Sequence, residues 1–200
     1  MKQIIRLLPI LGIIAFIALY LYAASLYPGG SSVSPNAMKW DWYQNLWCNL
    51  LSEEAINGLE NPARPIALLA MALLSISIAI FYLLCADLIV KSKNWKISLR
   101  ITGILLMLGA FFVFSKYHDL MTTIISICGL IGISGILRAL YLNHMTFFAA
   151  IGGVCLFVIC LNNFFYYNNT LHEYLPLVQH LNFILILSWT LGLNLKLLNK

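Results

Sequence analysis

Pro65–Val90 reads PIALLAMALLSISIAIFYLLCADLIV, and its one charged side chain, Asp87, stands close to the end. About 20 helical residues, rising 1.5 Å each, cross a hydrocarbon layer roughly 30 Å thick. The stretch therefore predicts a membrane-crossing helix. Working outward from it, Ile4–Leu26, Ile97–Phe114, Leu120–Leu142, Thr146–Tyr166 and Leu175–Leu197 are apolar over comparable lengths. The expected fold is all-α, a six-transmembrane-helix bundle forming a single domain over residues 1–200.

Composition agrees. The chain has 200 residues, 62% hydrophobic and 10% charged, with mean hydropathy +0.88. Soluble domains carry about 25% charged and about 45–50% apolar residues. A globule in water still presents side chains to solvent and could not hide this much apolar surface. The net charge of +5 comes from basic residues spread between apolar runs, not from one patch, so nucleic acid is not an expected partner. Ala23-Ala24-Ser25 resembles a signal-peptide cleavage site. The apolar core before it exceeds the roughly 7–15 residues of a signal peptide, and a retained helix is expected.

Charge placement orients the bundle. With the N-terminus inside, the cytoplasmic side holds Lys2, Arg6, Lys91, Lys93, Lys96, Arg100, Arg138, Lys196 and Lys200. The opposite side holds Lys39, Arg64 and Lys116. That positive-inside bias places both termini in the cytoplasm. Heavy use of Ile, Leu, Asn and Lys points to an AT-rich, bacterial genome, hence an inner-membrane location. Cys48, Cys85, Cys128, Cys155 and Cys160 show no CxxC spacing and read as packing residues.

The long connection, residues 27–64, falls outside. It opens on Tyr27-Pro28-Gly29-Gly30, where glycines permit positive φ. Met38–Glu54 then sets Trp40, Tyr43, Trp47, Leu50 and Leu51 at helical spacing, with Asp41, Asn45, Cys48 and Ser52 on another face. The pattern predicts a short external amphipathic helix in the interface, its Trp and Tyr at headgroup depth. Ser126, Gly129, Gly132 and Gly135 predict a close-packing face on the fourth helix. Asp87 and Lys91 predict an i,i+4 pair at the inner surface.

Polar residues gather at the outer face. Ser115, Asn162, Asn163 and His180 share a depth of about 6–8 Å at 1.5 Å per residue. Lys116, His118 and Asp119 join the third and fourth helices, and His172-Glu173 occupy the last outer loop. Histidine and carboxylate groups suit Zn²⁺ or acid–base work. His118, Asp119 and His180 are the candidate metal ligands; His118 and Asp119, with Glu53 as base, are the candidate catalytic groups. Arg64, Lys116, Asn162, Asn163, Trp42 and Asn45 are candidate ligand-binding residues, the cations suiting an anionic headgroup. The alternative is that these residues satisfy helix ends and loop backbone. Zinc is the one cofactor in question, and the expected partners are the bilayer, a lipid headgroup or another membrane protein.

Tyr27-Pro28-Gly29-Gly30, Trp42–Asn49 (WYQNLWCN), Asn57-Gly58, Asn61–Pro65 (NPARP) and Lys116–Asp119 (KYHD) together resemble a group of small bacterial six-helix membrane proteins of unknown function. The resemblance implies six helices and an outward polar face. Ser115, His118, Asp119 and His180 also carry a fainter likeness to the alkaline ceramidase and progestin/adiponectin receptor hydrolases, although the paired histidines and a seventh helix are missing. That likeness implies a metal-dependent lipid hydrolase or transferase. Against it stands a non-catalytic membrane module that binds a lipid or protein partner through Met38–Glu54.

Overall fold

A computed structural model describes residues 3–112, 117–168 and 170–198, with the backbone alone for Phe111, His118, Asp119 and His172. It is all-helical: α1 (Gln3–Leu26), α2 (Arg64–Leu88), α3 (Lys93–Phe112), α4 (His118–Leu142), α5 (Thr146–Tyr167) and α6 (Leu175–Leu198). Among the described residues the sole extended pairing is an isolated bridge between Glu54 and Glu60. All but α3 are long and apolar enough to cross a membrane, which fits a multi-pass membrane protein. α3 begins with Lys93, Lys96 and Arg100 on its first turns, and its described part ends at Phe112.

Each helix packs on the next, α6 closes back on α1, and α2 also reaches α4 and α6. Small residues set the closest approaches, as expected where lipid rather than water surrounds a bundle. A Cβ on Gly132 would sit 2.1 Å from Tyr82 Cε1, and one on Gly135 would sit 2.8 Å from Trp95 Cε3. The glycine face of α4 thus receives rings from α2 and α3. Gly129 meets nothing within 4 Å, so that face loosens toward the N-terminal end of α4.

At the opposite end of α4, Asn143 donates through Nδ2 to Ile89 O (2.8 Å) and Ala139 O (2.7 Å), tying the α4–α5 turn to the end of α2. Asp87 does not pair with Lys91. α2 ends at Leu88 with Ile89 as its cap, so Lys91 has left the helical register, and Asp87 instead meets Arg100 on α3.

The long connection between α1 and α2 departs most from expectation. Met38–Glu54 is not one interfacial helix; only Trp47–Leu51 forms a short 3-10 turn. Asp41 Oδ1 accepts from Tyr43 N (2.8 Å), and Asn45 Oδ1 accepts from Asp41 N (2.8 Å). Such local side-chain bonds offer the backbone an alternative to helix. Leu46 is then extended, at φ −76° and ψ 145°. The aromatic stripe splits: Tyr43 is 76% exposed, while Trp47 turns inward.

The glycines behave as their sequence implies. Gly29 and Gly30 have φ 125° and 85°, and a Cβ on Gly30 would lie 2.5 Å from Asn57 N. Asn61 Nδ2 reaches the carbonyls of Asn49, Leu50 and Ser52 at 3.0–3.3 Å, and its Oδ1 accepts from Ala63 N at 3.1 Å. Leu50 and Ala63 are completely buried. The segment is a cap seated on the C-terminal end of α1 and the N-terminal ends of α2 and α6.

Candidate functional site

The 3-10 turn works as a plug. Trp47 stacks between Tyr20 of α1 (4.7 Å) and Phe183 of α6 (4.4 Å). Its backbone is held at both ends: Tyr20 donates its hydroxyl hydrogen to Trp47 O (2.7 Å), and Trp47 N donates to Gln179 Oε1 (2.9 Å). Tyr20 lies six residues below the end of α1, about 9 Å at 1.5 Å per residue. Irregular backbone at such depth persists only where protein satisfies its polar groups, and these two side chains do so.

Beside the plug lies a partly enclosed cavity of about 170 Å³. It is lined by Tyr20, Trp47, Met71 and Phe183, by Thr122 and Ser126 of α4, by Asn162, Asn163 and Tyr166 of α5, and by Gln179 of α6. Hydrogen bonds join the α4 and α5 sides. Ser126 Oγ donates to Asn163 Oδ1 (2.9 Å), Asn163 Nδ2 donates to Ile159 O (2.9 Å), and Thr123 and Tyr167 share a bond of 2.9 Å. Asn162 Oδ1 is buried and has no hydrogen-bond partner among the described residues. Among the described residues no lining side chain carries a formal charge. Cys48 also lines the cavity, and burial pushes its thiol above the usual value, so it stays a neutral thiol near neutral pH.

His180 belongs to a neighbouring arrangement. Its ring lies 5.9 Å from Trp42 and 5.3 Å from Trp47. Nδ1 contacts Pro176 O; a carbonyl can only accept, so Nδ1 carries the hydrogen. Nε2 then keeps a buried lone pair with no partner among the described residues.

Of the other expected site residues, Asn45 is buried and donates to Gly30 O at 2.7 Å. With Oδ1 on Asp41 N, its amide holds the cap together. Arg64 pairs with an exposed Glu53 at 3.0 Å, locking the cap to the start of α2. Trp42 is 44% exposed and rests on Trp40 and His180. Ser115 and Lys116 lie outside the described residues. His118 and Asp119 begin α4, and their side chains likewise lie outside the description. Among the described residues no three His, Cys, Asp or Glu side chains gather as a metal site.

The structure brings Asn162 and Asn163 together and adds Thr122, Tyr166 and Gln179 as cavity walls, with Ser126 serving there beyond its packing role. A signal existed for them. Thr122/Ser126, Asn162/Tyr166 and Gln179/Phe183 are each four apart, so each pair stacks on one face of its helix. Which faces meet is a tertiary matter. No family model matches this chain, and no curated protein and no solved structure matches it.

Proposed function

We propose that this chain is an inner-membrane protein of bacterial type, crossing six times with both termini cytoplasmic, that binds a lipid headgroup from the outer leaflet in the plug-side cavity. The observation that carries this reading is an uncharged, hydrogen-bonding cavity at membrane depth, with Asn162 Oδ1 buried and unpartnered among the described residues. Leaving a buried acceptor unmade costs about 1–3 kcal/mol, a cost that a bound hydroxyl or amide removes. The basic residues at the ends of α2, α3, α4 and α6 support the orientation.

The test is native mass spectrometry of protein extracted with its surrounding lipid, wild type beside a cavity-filling Thr122→Phe. Stoichiometric lipid retained by the wild type and lost in the variant supports the reading. Equal retention by both would sink it.

A second reading rests on the lone pair of His180 Nε2. In it the outer face is a metal-dependent lipid hydrolase or transferase, with His118, Asp119 and His180 as zinc ligands and Glu53 as base. Metal content of purified wild type and His180→Ala decides it: about one zinc per chain, lost in the variant, is the required result.

A further inference from the structure

We infer that the cavity selects an uncharged, hydroxyl-bearing headgroup, the glycerol or sugar end of an outer-leaflet lipid, with Asn162 Oδ1 as the acceptor that reads a ligand hydroxyl. This rests on the binding reading above and names the ligand class.

The donor and acceptor pattern carries the argument. Asn162 Oδ1 is a buried acceptor awaiting a donor. Ser126 spends its hydrogen on Asn163, so its oxygen offers only lone pairs to the cavity. Gln179 spends Oε1 on Trp47 N, which leaves its amide hydrogens as donors. The walls thus present acceptors and donors together, all neutral. A phosphate or carboxylate has only acceptors and would set its oxygens against Asn162 Oδ1 and Ser126 Oγ. An ammonium has only donors and would find no carboxylate among the described lining residues. A hydroxyl both donates and accepts, and a polyol carries several at the spacing of neighbouring carbons.

Access favours a lipid as the source. Asn163 lines the cavity and also an outer groove with Phe164, Tyr167, Asn168 and Thr170. Phe164 is 57% exposed, and Phe157 (66%) and Val154 (52%) continue an exposed apolar face about two to three turns deeper along α5, so an acyl chain has an apolar track leading from the polar site into the bilayer. The cavity volume, about 170 Å³, admits a headgroup and not a whole lipid.

The experiment uses the full chain in an amine-oxide detergent, which has no hydroxyl headgroup. It is titrated calorimetrically with octyl glucoside, 1-octanoylglycerol, octyl phosphate, free glucose and free glycerol. The expected result is saturable binding of the first two, weakened roughly tenfold by Asn162→Leu, the scale of one lost hydrogen bond. Ser126→Ala, nearly the same size, is the second variant should Asn162→Leu not fold, and it weakens the same two probes. Preference for octyl phosphate, still sensitive to these variants, overturns the ligand class while the binding reading stands. Free glucose or glycerol binding as tightly as the octyl probes overturns the lipid source. No saturable binding of any probe overturns both.

Discussion

Tyr20 and Trp47 are bound to each other twice, by a 2.7 Å hydrogen bond from the phenol to the Trp47 carbonyl and by rings stacked 4.7 Å apart. The pair fixes how deeply the external segment enters the bundle. Tyr20 is buried, and its phenol is the hydrogen-bond donor that satisfies the Trp47 carbonyl.

Tyr20→Phe keeps the stack and removes the hydrogen bond. An unsatisfied carbonyl there costs about 1–3 kcal/mol, toward the low end if water follows it in. A lowered unfolding temperature in detergent is expected, with retained lipid reduced in parallel. An unchanged melting temperature would mean that the plug is not held by this bond.

Gly132 and Gly129 should respond in opposite ways. Gly132→Ala drives a methyl into the Tyr82 ring and should destabilise by about 1–3 kcal/mol, the usual range for overpacking; Gly132→Ser, larger by an oxygen, should cost at least as much. Gly129→Ala meets open space and gains up to about 1 kcal/mol of helix propensity. Thermal unfolding of the three variants separates the two positions.

Asn61→Ala leaves the carbonyls of Asn49, Leu50 and Ser52 and the Ala63 N–H without their side-chain partner. The cap should open before the bundle does. Limited proteolysis should cut within residues 27–63 in the variant under conditions that spare the wild type. Asp87→Ala removes a half-exposed inner pair worth at most about 1 kcal/mol and should leave that digestion pattern unchanged.

Alkaline pH should loosen the plug. Burial raises the folded thiol of Cys48 above its ordinary 9.0, so its contribution to stability is complete below that value and is lost as pH climbs through it and beyond. Tyr27, raised mainly by burial although the Ile56 N–H pulls it down, adds the same trend from 10.0 upward. Site-resolved alkylation of Cys48 should stay slow until well above pH 9.0. Rapid reaction at pH 8, with the chain still folded, would contradict its burial.

The helices were legible because hydropathy is a local property. The expected stretches Thr146–Tyr166 and Leu175–Leu197 differ from α5 and α6 by one residue at a boundary. The turn glycines were legible for a similar reason, since positive φ is a demand on single residues. Asn45 and Trp47 were not. At helical spacing they look like neighbours on one amphipathic helix, yet the Asn45 amide binds Gly30 and Asp41 instead, and Trp47 finds its stacking partners on α1 and α6. Asn162 was legible as a polar residue below the outer end of its helix; its role as an orphaned acceptor in a cavity was not.

The sequence by itself determined an all-helical chain with long apolar helices and a glycine-turned outer segment, because each of those features depends on a residue and its near neighbours. Tertiary structure alone decided that Trp47–Leu51 folds inward as a plug, that Asp87 meets Arg100, and that Thr122, Asn162 and Gln179 line one cavity. Those outcomes depend on which helix faces meet, and the energy of a contact between residues far apart in the chain is written in neither of them separately.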